Sequence, residues 1–449
     1  MNSSEPKLKK NLGVWSAMSI VVGTVIGAGV FFKPYAIYQA TGGAPGAGML
    51  AWIVGGLISL FGALTFAEVA VMKPRTGGMV AYLGEVFGER LGFMAGWMLT
   101  VIFYPAYLAG YGVKVGQELA TYLGDGSCLW IAAAIIALVV FANLMGNRSA
   151  GVFQVVSTVC KLLPLALIMI FGFIKGDSSI PVFTPMAGEG KTFTGALSAT
   201  LLAVLFAFEG WTNAGAIAGE MKNPSKDLPK AIVGGVTVIM AVYFLINMAY
   251  LWVIPAEELM YIESPATAVA TKLFGDVGGI LIKCGIIVSV IGAANGFLMS
   301  GSRVAYCLAE QKSLPGYTGL AKVNRFAVPT WSIVLVGVLA IVYSLIGNFD
   351  LLTDLATFAC WIFYTLTFIA VFVLRKREPD NPDRKYRVPL YPVIPALAVL
   401  GGLYVIVSQF FLSGATARIN ALISVGITLI GLPVFLIMKK IAAKKEATE

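Results

Sequence analysis

Charge-poor runs of about 18 to 30 residues recur along the whole chain, each long enough to cross a bilayer as a helix. Twelve such runs occur, at approximately 14–40, 48–71, 91–113, 128–144, 152–174, 195–219, 230–254, 276–302, 330–346, 351–374, 388–410 and 418–438. They are apolar on successive residues, without the in–out alternation of membrane strands, so helices are expected rather than a β-barrel. The first run is long and glycine-rich and has no convincing small-residue cleavage site, which argues against a signal peptide. The longest polar connections are 73–90, 219–230 (GEMKNPSKDLPK) and the basic 375–387; inside the first, Met79–Phe87 is apolar enough for a re-entrant or surface helix.

Composition removes the soluble alternatives. Of 449 residues, 58% are hydrophobic and 12% are charged, against roughly 25% charged in an ordinary soluble protein. A mean hydropathy of +0.85 excludes a large soluble enzyme and a disordered chain alike. The net charge of +9 does not mark a nucleic-acid binder, because the basic residues sit in short clusters between apolar runs. With the N-terminus inside, 24 of the 32 lysines and arginines fall on the inner side and 6 on the outer, with Lys161 and Lys283 inside runs. That asymmetry predicts a multi-pass protein of the cell membrane with both termini in the cytoplasm. The connections and termini are too short for a soluble domain, so function is expected within the membrane.

Histidine is absent, which removes histidine-ligated metal, Ser-His-Asp chemistry and histidine proton relays. The five cysteines lie far apart with no CxxC pair, and free thiols are expected. No nucleophile–base or metal set is visible, so neither an enzyme nor a cofactor is expected. No sensor domain or charged pore ring suggests a receptor or channel.

Two runs are interrupted. The first reads GTVIGAGVF, with Gly27 and Gly29 flanking Ala28, each glycine costing a helix about 1 kcal/mol. Gly23 and Gly27 also form a GxxxG pattern, so close helix packing is an alternative. The sixth reads FAFEGW, with Glu209 and Gly210 near its middle. From Gly13 to Gly27 is 14 residues and from Gly195 to Gly210 is 15, so the two breaks lie at the same depth. This pairing predicts an all-α, five-plus-five inverted repeat with a midplane site: residues 1–180, then 190–375, followed by spans 11 and 12 in 385–449. An unwound turn frees backbone N–H and C=O groups that lipid cannot satisfy. A half-helix N-terminus suits a carboxylate, and freed carbonyls suit an ammonium. An α-amino acid carries both on one carbon.

These stretches, with GEMKNPSKDLPKAI and the GAANG of span 8, closely resemble the amino acid–polyamine–organocation superfamily. Within it they are most similar to the L-type amino acid transporters, especially bacterial serine/threonine and alanine-serine-cysteine exchangers. The resemblance covers nearly the whole chain. It implies sodium-independent exchange of small neutral L-amino acids. It places the substrate carboxylate on the N–H groups of Ala28 and Gly29, and the ammonium on the carbonyls of Val25, Phe206 and Ala207 or Glu209. Many relatives have serine at the position of Ala28, so a side-chain contact there is not implied. Phe206 matches an aromatic gate closing from outside. A lysine at the position of Lys161 takes the place of sodium in sodium-coupled relatives, bridging residues 23 and 24 to Ser289. Cys128 precedes span 4, where animal relatives bond a glycoprotein; the short termini suggest a bacterial protein with no obligatory protein partner. The partners implied are amino acids and the lipid bilayer.

Among the charges, Lys161 lies about nine residues, or about 13 Å, from either end of its run and must face protein rather than lipid. Glu209 is either a structural counter-charge or a proton carrier, and the second role would make the protein a proton-coupled symporter or uniporter. Only these two charges look deep enough to be mechanistic. Glu68 is assigned to packing at the inner end of span 2, and Lys283 to snorkelling at the outer end of span 8. Asn295 either bonds substrate or joins helices, and the resemblance favours the substrate. Tyr243 is either a coupling residue or a packed tyrosine with a satisfied hydroxyl.

Overall fold

The computed structural model describes residues 13–72, 78–213, 221, 223–326 and 328–446, and these are helical with no β-sheet among them. The N-terminal lysines of the charge count, the start of the 73–90 connection, the end of the sixth run and residues 219, 220 and 222 of GEMKNPSKDLPK lie outside the described residues. Twelve spans follow one another. Span 1 is two helices, Val14–Val25 and Gly29–Thr41. Spans 2, 3 and 4 are Pro45–Met72, Glu89–Leu123 and Cys128–Leu144. Span 5 is Asn147–Lys175. Span 6 is Phe193–Asn213, and span 7 is Pro224–Val253. Spans 8 to 12 are Pro265–Glu310, Thr330–Ser344, Phe349–Arg377, Val393–Phe411 and Ala415–Glu446. The face at which span 1 begins is termed the near face, and the opposite one the far face. Met79–Phe87 is a helix, as expected, and packs on the start of span 3 and on span 10.

Departures from the expected boundaries have local causes. Span 8 is longer than 276–302 because a preceding helix beginning at Pro265 joins it through Gly275, whose φ of +75° suits glycine at a bend. Span 3 carries a wider π turn over Leu99–Phe103. Pro105 has no N–H to give the carbonyl of Val101, and the Tyr343 hydroxyl of span 9 takes that carbonyl at 2.8 Å. The lost bond of one helix thereby becomes a tie to another.

At the near face Glu68, at the end of span 2, is buried and holds two arginines. Arg375 grips it through Nε and Nη2 at 2.8 and 2.6 Å, Arg384 Nε stands 3.3 Å away, and the Val388 N–H donates at 2.7 Å. The packing role expected of Glu68 is thus an ionic joint between span 2, span 10 and the chain leading to span 11. Removing one member of a buried ionic set costs about 3–5 kcal/mol. Glu68→Ala is therefore expected to lower the thermal unfolding temperature of the detergent-solubilised protein clearly. An unchanged unfolding temperature would contradict this joint.

Candidate substrate-binding site

The first helix of span 1 stops because Ile26 leaves helical geometry, at φ −68° and ψ 93°, and the second helix restarts from Ala28. The break separates donors from acceptors that an unbroken helix would have paired. On the restarting side, the N–H groups of Gly27, Ala28 and Gly29 have no backbone acceptor among the described residues. On the stopping side, the carbonyls of Gly23 and Val25 lose the N–H groups of Gly27 and Gly29. Side chains from two other spans take them. The Lys161 ammonium of span 5 donates to the Gly23 carbonyl at 2.6 Å. The Tyr243 hydroxyl of span 7 lies 3.2 Å from the Val25 carbonyl and 2.9 Å from that of Ala207 in span 6. Lys161 is fully buried, and its charge meets the negative end of the half-helix.

Span 6 breaks against span 1. Its helix runs Phe193–Ala207, and Gly210 turns the chain at a φ of +120°. The approach is backbone to backbone: a Cβ on Gly29 would overlap Ala207, and one on Gly210 would stand 3.2 Å from Thr24. The Glu209 carboxylate is buried between the Tyr364 hydroxyl of span 10, at 2.5 Å, and the Gly210 N–H, at 3.2 Å. The Glu209 N–H donates to the Phe206 carbonyl at 3.1 Å.

The geometry brings most of the expected residues together. Val25, Gly27, Ala28 and Gly29 meet Phe206, Ala207, Glu209 and Gly210 across the paired breaks, with Tyr243 bonding both sides. Two further expected residues lie on span 8. Asn295 accepts from Asn143 Nδ2 at 2.8 Å, a joint between spans 8 and 4. Ser289 is buried, but its hydroxyl has no hydrogen-bond partner among the described residues, so Lys161 makes the span 1 end of its expected bridge and not the Ser289 end.

A second charged cluster was not anticipated. In the sequence only Lys161 and Glu209 stand out as deep charges, but Lys33, inside Gly29–Thr41, is fully buried as well. Its ammonium meets Asp350 at 2.7 Å, Thr353 at 2.8 Å and Asp354 at 3.4 Å, all at the far end of span 10. It also stands 4.9 Å from the ring centres of both Phe206 and Phe349, which pack edge to face. Tyr107 and Tyr111 of span 3 close the other side of Phe206. The signal was Asp350 and Asp354 one turn apart at the start of an apolar span. Lys283, assigned to snorkelling, pairs with Glu118 at 3.2 Å.

Lys161→Ala would leave the buried Gly23 carbonyl without its donor, a cost of about 1–3 kcal/mol. The variant is expected to remain folded and monodisperse while losing transport or substrate affinity in proteoliposome uptake. Wild-type kinetics would remove Lys161 from the site.

Comparison with known proteins places this geometry in a family. A family model described as amino acid permease matches residues 12–438. The chain is 40% identical to the serine/threonine exchanger SteT of Bacillus subtilis over 98% of this chain and 99% of that protein. It is 30% identical to b(0,+)-type amino acid transporter 1 of Homo sapiens, over 91% and 85% of the two chains. It is 28% identical to Asc-type amino acid transporter 1 of Mus musculus, over 96% and 82%. The chain belongs to the amino acid permease family, and it is a multi-pass membrane transporter rather than an enzyme.

Proposed function

We propose that the protein exchanges small neutral L-amino acids of the alanine, serine, cysteine and threonine type by alternating access, without sodium. The observation that carries this reading is the apposition of the two breaks, with free N–H groups on span 1 beside carbonyls of spans 1 and 6. The Ala28 and Gly29 N–H groups receive the carboxylate, aided by the positive end of the half-helix. The carbonyls of Val25, Phe206 and Ala207 receive the ammonium. Tyr243 has one hydroxyl proton to share between the Val25 and Ala207 carbonyls, so each keeps at least one lone pair for the ammonium. The similarity to SteT and to Asc-type amino acid transporter 1 supports small substrates.

In the same proposal the near face is cytoplasmic, as the lysine and arginine count supports, and the two repeats are residues 1–180 and 190–375. Phe206 then lies on the outer side of the substrate, under the latch formed by Lys33 with Asp350 and Asp354. Opening outward separates span 1 from span 10, releasing Lys33 and freeing Phe206 to turn. Lys161 supplies a fixed positive charge at the break, the place where a sodium-coupled protein needs a cation. Glu209, held by Tyr364 and the Gly210 N–H, acts as a counter-charge that keeps the span 6 break in shape. The chain works without an obligatory protein partner; the Cys128 thiol is half-buried and turned to the Val113 carbonyl at 3.8 Å, which supports this.

The test is uptake of labelled L-serine into proteoliposomes preloaded with each of the twenty amino acids. Uptake is expected to be accelerated by internal alanine, serine, cysteine or threonine, and to be unchanged when choline replaces sodium or when a pH gradient is imposed. Equal uptake with and without internal amino acid contradicts exchange. Acceleration by an inward proton gradient alone makes the protein a symporter and gives Glu209 or Lys161 the proton.

A further inference from the structure

The connection 375–387 carries six lysines and arginines. Its residues line a cavity of about 310 Å³ at the near face, between the end of span 10 and the start of span 11. Four of the lining side chains are cations: Arg375, Lys376, Arg384 and Arg387. Glu68 accounts for two of them, Arg375 and Arg384, with a single negative charge. Lys376 and Arg387 are exposed and have no carboxylate partner among the described residues. Among its lining side chains the cavity therefore carries four cations, and among the described residues only Glu68 pairs with any of them; Glu378, Asp380 and Asp383 of the same connection are not in its lining.

Its walls are stiff. The Arg375 guanidinium stacks 3.8 Å over the Tyr391 ring, and Tyr391 packs on Phe372 at 5.6 Å. Arg384 is fixed by the carbonyls of Leu374, Glu378 and Pro379 as well as by Glu68. Arg375 and Arg384, with N–H groups engaged inside the protein, form a fixed cationic wall, and the Lys376 ammonium and Arg387 guanidinium are the donors left for phosphate oxygens.

One edge of the cavity runs into an apolar face. Leu390 is 75% exposed, and Val393, Leu397 and Leu400 follow it along one side of span 11, exposed at 55%, 39% and 60%. In a transmembrane helix such a face meets acyl chains. An anion joined to hydrocarbon would place its charge in the cavity and its chains along span 11. A free phosphate would use only the first half of this surface.

We propose that this cavity is a binding site for the phosphate headgroup of an anionic phospholipid, whose chains lie on the exposed face of span 11. Phosphate oxygens are received by Lys376 and Arg387, beside the Arg375 and Arg384 pair already set by Glu68. A zwitterionic lipid brings an ammonium into the same field and is disfavoured. The lipid joins span 10 to span 11 from outside as Glu68 joins them to span 2 from inside. This inference is independent of the transported substrate.

The test titrates the detergent-purified full chain with phosphatidylglycerol and, separately, with phosphatidylcholine of the same acyl chains, read by native mass spectrometry. Phosphatidylglycerol is expected to fill one site that phosphatidylcholine does not. Each basic residue near a membrane surface contributes about 1 kcal/mol to anionic lipid binding, so the double variant Lys376→Gln/Arg387→Gln should bind phosphatidylglycerol about thirtyfold more weakly. Arg387→Gln alone, at an exposed position, should weaken it about fivefold and serves if the double variant does not fold. Wild-type affinity in either folded variant overturns the proposal. So does equal filling by phosphatidylcholine. Displacement of bound phosphatidylglycerol by millimolar inorganic phosphate also overturns it, because the site would then belong to the free anion.

Discussion

Inside a bilayer no water is at hand for a backbone group that leaves a helix, and each unsatisfied group costs several kcal/mol. A chain that breaks two of its spans at mid-depth must therefore provide partners from elsewhere. Here they come as long polar side chains from neighbouring spans. Lys161 takes the Gly23 carbonyl, and the Tyr243 hydroxyl shares its one proton between those of Val25 and Ala207. The same solution recurs in span 3, where the carbonyl stranded by Pro105 is taken by Tyr343. Two carbonyls on the stopping side of the span 1 break, those of Gly23 and Val25, thereby gain donors. The N–H groups of Gly27, Ala28 and Gly29 on its restarting side have no backbone acceptor among the described residues, an imbalance that favours an anion there and supports the proposed carboxylate.

The constraint also explains where the charges sit. Two sets of buried ions tie elements distant in sequence: Lys33 with Asp350 and Asp354 at the far face, Glu68 with Arg375 and Arg384 at the near face. Both sets involve span 10, one at each of its ends, while Tyr364 of the same span holds Glu209 near its middle. Span 10 thus touches the far-face latch, the span 6 break and the near-face joint. Movement of span 1 away from span 10 breaks the first set while leaving the others intact.

The twelve spans were legible because length and continuous apolarity are enough to predict a membrane helix. The two breaks were legible because glycine at mid-span in two spans of corresponding order has few structural explanations. What stayed hidden depended on which way a side chain points. Lys33 falls within the first run but past its glycine break, where depth alone did not mark it, and the helix that carries it continues to Thr41. Asp350 and Asp354 looked like the polar start of a span, and nothing linear joined them to a lysine more than three hundred residues earlier. The Asn295 oxygen meets Asn143, a helix-joining contact that is one of the two roles an amide in a glycine-rich span suggests.

The central claim is that a carboxylate and an ammonium on one carbon are read by backbone groups at the paired breaks. Competition against labelled L-alanine uptake by alanine methyl ester, which lacks the carboxylate charge, and by lactate, which lacks the ammonium, tests this directly. Both are expected to compete about a hundredfold or more weakly than alanine, because each leaves buried polar groups unpaired. Competition by either analogue at the strength of alanine itself would contradict the account.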